Sequence, residues 1–285
     1  MSPQTQASSR QVDGPLLKVT DLRTAFRTDR GLVKSVDGVS CTLDRGKSLG
    51  IVGESGSGKP VLSRSIMGLL PKRNTERSGS VVFEGQEIIN LSLSERRKVW
   101  GKEMSMIFQD PMTSLNPVMR VGKQLGEGLK IHLGMSKADA RATALRLLQD
   151  VRIPEPEKRL DQYAFELSGG MRQRIMIALA MSCGPTLLFA DEPTTALDVT
   201  VQAQILDLIG EQRRDRNMSV ILVTHDLGVV AGHTDEIAVM YGGKLVEKAP
   251  TRVLFANMKM PYTEALLKSI PKIEDPSHTR LHVIP

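Results

Sequence analysis

The sequence predicts an α/β fold in which a mostly parallel sheet with an antiparallel β part carries an inserted helical subdomain. Three observations predict it. A short apolar strand at 47–52 runs into the glycine-rich loop Gly53-Glu54-Ser55-Gly56-Ser57-Gly58-Lys59, and the loop into a helix at 60–70 closed by Pro71. That strand, loop and helix order is the context of a phosphate site. Strand character returns at 186–190, 219–223 and 236–240, with a helical stretch at 201–213 between the first two. Such alternation argues for parallel strands joined by helices. From about 117 to 181 the apolar spacing becomes helical, which marks the insertion.

The remaining elements follow in order. Residues 1–15 open polar, lack the apolar stretch of a secretory signal, and read as a disordered leader. Residues 16–22 and 32–43 alternate apolar and polar, as opening strands do, and 81–83 is a further strand before a polar turn. Ser136 is placed to cap a helix running to 149, with Asp139 at the capping-box position. Tyr241-Gly242-Gly243-Lys244 reads as a hairpin-like turn, and two short helical patterns, 252–256 and 262–269, lie in the tail.

Composition narrows the function. Of 285 residues, 40% are hydrophobic and 25% charged, ordinary for a globular protein, and no run is long enough to span a bilayer. Cys41 and Cys183 sit apart in apolar contexts, which fits a reduced protein with packing cysteines better than a disulfide or metal site. The net charge of +6 is spread along the chain and aromatics are only 4%. A solvated basic surface explains that charge, and nucleic acid is not expected as a partner.

The chemistry concentrates in three stretches. In the phosphate loop, glycines let backbone N–H groups approach phosphate oxygens at the positive end of a helix, and Lys59 adds a charge for the outer phosphates. Read alone, the pattern is also that of a glycine-rich turn. Leu187-Leu188-Phe189-Ala190-Asp191-Glu192 is an apolar strand ending in two acids. Asp191 is expected in the metal shell and Glu192 beside the attacking water, the alternative being two acids capping the next helix. Ser168-Gly169-Gly170 opens an apolar helix. Ser168 alone is an ordinary N-cap; with the glycines, the helix start becomes a second anion-binding surface.

Taken together, the phosphate loop, Gln109, Leu167-Ser168-Gly169-Gly170, Asp191-Glu192 and His225 stand in the order of an ATP-binding-cassette ATPase, and the chain resembles that family over most of its length. The resemblance implies a P-loop NTPase core at 16–248, with the helical subdomain at about 117–181 and ATP and Mg²⁺ as ligands. It implies a head-to-tail dimer with a homologous ATPase subunit, identical or not, each ATP lying between one loop and the other chain's Ser-Gly-Gly helix. By position, Gln109 is implied to touch Mg²⁺ and signal to the membrane partner, Asp198 to cross the dimer interface, and His225 to contact the γ-phosphate. Phe26 is the implied adenine-stacking aromatic, a core position being its alternative.

Two further stretches, Phe108-Gln109-Asp110-Pro111-Met112-Thr113-Ser114-Leu115-Asn116-Pro117 and Tyr262-Thr263-Glu264-Ala265-Leu266-Leu267, resemble the peptide and nickel importer branch. That branch implies a C-terminal extension at 249–285, two transmembrane permease subunits, an extracytoplasmic binding protein, and a peripheral place on the cytoplasmic face of the membrane. No cysteine follows Cys183, so the iron–sulfur site of many relatives is not expected.

One residue departs from the family pattern. Pro60 stands where a Ser or Thr is expected, and it offers neither a hydroxyl for Mg²⁺ nor an N–H for phosphate. It also biases Lys59 away from helical backbone, although proline near a helix start leaves the fold intact. Weak Mg-ATP binding and slow hydrolysis are expected. Gln109, Asp191, Glu192 and His225 all remain, so Pro60 reads as an isolated change. The expected function is an ATPase powering peptide import. The alternatives are an impaired cassette serving a competent partner and, more remotely, a soluble cassette of translation or DNA repair.

Overall fold

The computed structural model describes residues 14–110, 114–194 and 198–269. Most of the expected leader, the tail beyond 269, and the stretches Pro111-Met112-Thr113 and Thr195-Ala196-Leu197 lie outside the described residues. Among the described residues the strands form two sheets. One is antiparallel, ordered β2-β1-β4-β5, from β1 (Leu17–Thr28), β2 (Gly31–Leu43), β4 (Thr75–Phe83) and β5 (Gln86–Glu87). The other is ordered β10-β9-β3-β8-β7-β6, from β3 (Ser48–Val52), β6 (Met104–Ile107), β7 (Leu187–Asp191), β8 (Ser219–Thr224), β9 (Glu236–Tyr241) and β10 (Lys244–Pro250). It is parallel from β9 to β6, and β10 is added antiparallel at its edge.

Every residue of β3, β6, β7 and β8 is buried, because both faces of this sheet are covered. Alternate side chains enter different cores. Val52, Leu188, Ala190 and Leu222 point into the core shared with the inserted helices. Ile51, Phe189, Ile221 and Val223 point into the core under the antiparallel sheet. The helical segment comprises Val121–Leu133, Lys137–Asp150, Pro156–Leu160 and Gly169–Met181. The second begins as the sequence predicts, with the Ser136 hydroxyl accepting from the Asp139 N–H at 3.1 Å.

Several boundaries differ from the sequence reading. β1 and β4 run beyond the predicted 16–22 and 81–83 because they pair with each other through Phe26 and Thr75. β6 and the helix Leu93–Val99 were not predicted. The first is only four residues, and the second has no buried face, its formation resting on a complete Ser92/Glu95 capping box. The helix after the phosphate loop spans Lys59–Met67 and stops at Gly68, whose φ of 71° ends it one turn before Pro71. Lys59 is therefore helical despite the proline that follows it.

Candidate functional site

β3, β8 and β7 lie side by side, with Val52 opposite Thr224 and Asp191 opposite Val223. The phosphate loop, His225 and Glu192 thus emerge at one edge of the sheet, beyond the carboxyl ends of parallel strands, where such folds place ligands.

The base of the loop is clamped by glycine. A Cβ on Gly53 would lie 2.1 Å from the Met240 carbonyl oxygen, and one on Gly58 would lie 2.1 Å from that of Ser35. Gly58 also has a φ of 103° as the N-cap of the helix Lys59–Met67. Between the clamps Glu54, Ser55 and Gly56 are exposed. Lys59 is only 2% exposed, and its Nζ donates to the carbonyls of Gly53 at 2.5 Å and Glu54 at 2.9 Å. Burial lowers its pKa, and Glu192, Asp191 and Glu54 oppose that shift. The Ser57 hydroxyl is buried without a hydrogen-bond partner, an acceptor-and-donor group turned inward beside the loop.

Pro60 is the second residue of that helix, where an amide has no intrahelical acceptor, so the helix loses no bond. The Leu62 N–H still donates to the Gly58 carbonyl at 2.9 Å. Compared with the expected Ser or Thr, Pro60 offers the loop neither an N–H nor a hydroxyl, while the helix Lys59–Met67 stays intact around it.

At the end of β7, Asp191 is fully buried, and neither carboxylate oxygen has a hydrogen-bond partner among the described residues. Burial raises its pKa; Arg64, whose guanidinium is 4.0 Å away, pulls the other way. An orphaned buried carboxylate is costly and calls for a cation or a protonated ligand. Glu192 follows with a φ of 46°, an uncommon conformation for a residue with a side chain. The Gln109 side-chain N–H donates to its Oε2 at 3.1 Å, and His225 Nδ1 lies 3.3 Å from its Oε1. The sequence-predicted Gln109, Glu192 and His225 are therefore in direct contact, although they are 83 and 33 residues apart in the chain.

Other predicted residues stand apart. Among the described residues no hydrogen bond or ion pair joins Ser168, Gly169, Gly170 or Asp198 to the phosphate loop. Ser168 caps the helix Gly169–Met181 through the Met171 N–H at 3.3 Å, and Asp198 caps the helix Val199–Asp215 through the Val201 N–H at 2.9 Å. Phe26 is half-buried on β1. Gly169 and Gly170 meet little of this chain: a Cβ on the first finds nothing within 4 Å, and on the second only Val201 at 3.6 Å.

The sequence reading missed three residues of this region. Arg64 is the cation facing Asp191, and Gln173, 2% exposed, donates its side-chain N–H to the Pro193 carbonyl just after Glu192. The Tyr262 hydroxyl accepts the Glu54 N–H at 3.0 Å. Arg64 lies five residues after Lys59, a spacing that places it on the same helix as the loop lysine. No local pattern ties Tyr262 to a loop 208 residues away.

The family model described as ABC transporter matches residues 36–195, which hold the loop, Gln109, Ser168-Gly169-Gly170 and Asp191-Glu192. The chain belongs to that family. A second model, oligopeptide/dipeptide transporter, C-terminal region, matches residues 246–285. The oligopeptide transport ATP-binding protein OppD of Haemophilus influenzae is 50% identical over 260 residues, covering 91% of this chain and 80% of that protein. OppD of Bacillus subtilis is 50% identical over 271 residues, covering 95% and 76%. Among solved structures, the dimeric structure of MJ0796, a bacterial ABC transporter cassette, matches with a TM-score of 0.74 at 25% identity, covering 83% of this chain and 99% of that one. The expected fold class is borne out. The chain is an ABC ATPase cassette, and nucleotide is its ligand. No helix of the described residues is long and apolar enough to cross a membrane.

Proposed function

We propose that this ABC cassette is the ATP-binding and ATP-hydrolysing subunit that powers import of peptides, or a similar small solute, through a transporter on the cytoplasmic face of the membrane. The observation that carries the reading is the Glu192 carboxylate, gripped by Gln109 and His225 beside the phosphate loop. The oligopeptide-transport relatives at 50% identity support the cargo class.

The residues divide the work. Lys59, bonded here to two loop carbonyls, exchanges them for outer-phosphate oxygens when ATP enters, and the loop amides complete the cradle. Glu192 orients and polarises the attacking water. Its contacts with Gln109 and His225 fix the carboxylate, and His225 is within reach of the terminal phosphate. Phe26 is the proposed adenine platform. Mg²⁺ fits in part: Asp191 offers two carboxylate oxygens that have no hydrogen-bond partner among the described residues, although Arg64 lies 4.0 Å away, and Gln109 a carbonyl oxygen, while position 60 offers nothing. When bound there, the ion would neutralise charge on the outer phosphates.

Losing one charge-assisted phosphate bond at Pro60 costs about 1.5–3 kcal/mol of nucleotide affinity. A second reading rests on that residue alone: a cassette whose own site is slow and which acts by completing its partner's. In both readings Ser168, Gly169 and Gly170, with Asp198, face a homologous ATPase subunit, identical or not. Two transmembrane permease subunits and an extracytoplasmic binding protein complete the assembly. We assign the cassette to 16–248 and the importer-type extension to 249–285.

The test is peptide-stimulated ATP turnover by the chain assembled with its partner subunits in vesicles, beside Glu192→Gln. Turnover abolished by that change supports the first reading. Unchanged turnover moves the chemistry to the partner's site and supports the second.

A further inference from the structure

The C-terminal region reaches the nucleotide site. We infer that Tyr262 is a positioning residue for the phosphate loop, through which the region after the cassette sets nucleotide affinity; this rests on the nucleotide reading of that loop. Both ends of the loop are held by close backbone packing, at Met240 and at Ser35, but the tip between them is exposed. Among the described residues, the one side chain from outside the loop that hydrogen-bonds to it is Tyr262, whose hydroxyl accepts the Glu54 N–H at 3.0 Å.

The tyrosine is itself fixed from three directions. Its ring packs on Tyr241, centroids 4.5 Å apart and planes at 52°. Tyr241 leads into the turn whose Gly243 N–H donates to the Ser57 carbonyl at 3.0 Å, so both rings brace the same loop. The helix Pro261–Lys268 that carries Tyr262 is held at its start by Glu247 on β10. That carboxylate accepts the N–H groups of Lys259 at 2.8 Å and Met260 at 3.3 Å. Leu266, 6% exposed, anchors the same helix in the core.

Holding the Glu54 amide leaves the loop fewer conformations to lose when phosphate binds, which favours binding without adding a ligand contact. The brace matters more in this chain than in one with a full set of donors, because Pro60 supplies no amide to the phosphates. In the free protein, water replaces the phenol on an exposed amide, so removing the hydroxyl changes stability little.

The experiment compares ADP affinity by titration calorimetry in the full chain and in Tyr262→Phe, each with Pro60 and with Pro60→Ser. Phenylalanine keeps the ring contact and the helix. The expected result is ADP binding weaker by about three- to tenfold, on the order of the cost of ordering one residue's backbone, at an unchanged melting temperature. A second readout uses 3-fluorotyrosine, since the chain has three tyrosines and Tyr262→Phe assigns the line. That line should shift when ADP is added. Equal affinity in the two forms overturns the inference, as does a stationary line or an affinity loss that appears only with a fall in melting temperature. Absence of ADP binding in all four proteins would instead sink the nucleotide reading and the inference with it.

Discussion

Two pairs of glycines in this molecule do opposite things. Gly53 and Gly58 are required by the chain's own packing: each sits where a Cβ would strike a backbone carbonyl at 2.1 Å. Gly169 and Gly170 are not, since the described residues fill almost none of the space their Cβ atoms would take. The first pair builds the phosphate loop; the second lies at the start of the helix Gly169–Met181 with little packed against it. A glycine that its own fold does not need, in a helix where alanine is more stable, points to a ligand or partner approaching the backbone.

Substitutions can break that contrast, and the largest effect belongs to the loop. Gly58→Ala should cost about 3 kcal/mol, from left-handed strain plus a backbone clash, with nucleotide binding lost. Urea unfolding at unchanged m-value checks it. Gly169→Ala should do the reverse. At the first position of its helix the fold loses nothing and gains at most about 0.5 kcal/mol, while ATP turnover of the assembled transporter falls at least about tenfold, or about 1.4 kcal/mol. Turnover at the parent level in Gly169→Ala would show that the open helix start has no outside ligand.

Asp191 extends the comparison from glycine to charge. Because burial raises its folded pKa, the folded protein holds that proton more tightly than the unfolded chain does. The group therefore favours folding below its unfolded value of about 3.9 and opposes it as pH rises through the folded value. Asp191→Asn should raise the melting temperature at pH 7 by about 2–4 °C, the size of a 1 kcal/mol change in a chain of this length. The gain should vanish in scans near pH 3. In stability alone, a small effect is expected at Ser168, whose cap to the Met171 N–H is worth about 0.5–1 kcal/mol and is lost in Ser168→Ala, read as a fall in melting temperature.

How far the sequence revealed the molecule depended on the kind of signal. The central strands were legible because strands buried on both faces read as continuous apolar runs, as in 219–223. β6 was not, because Met104-Ser105-Met106-Ile107 is only four residues long and its strand character comes from pairing with β7. The helix Leu93–Val99 escaped notice because no apolar face marks it. In the site, Glu192, Gln109 and His225 were legible as motifs, and the structure adds that they touch. Arg64 and Tyr262 were not, because their roles arise from tertiary approach to Asp191 and Glu54. Pro60 was plain in the sequence, and the structure adds that the helix around it is intact.

The fold accommodates Pro60, and the nucleotide site is expected to bear its cost. The most direct measurement is Mg-ATP affinity and single-site turnover of the purified chain beside Pro60→Ser, with melting temperatures recorded for both. Matching stability is expected, with affinity stronger by about ten- to a hundredfold in the serine form and turnover raised with it. Equal affinity and turnover in the two proteins would contradict it, and would mean that the loop finds its missing donor and metal ligand elsewhere.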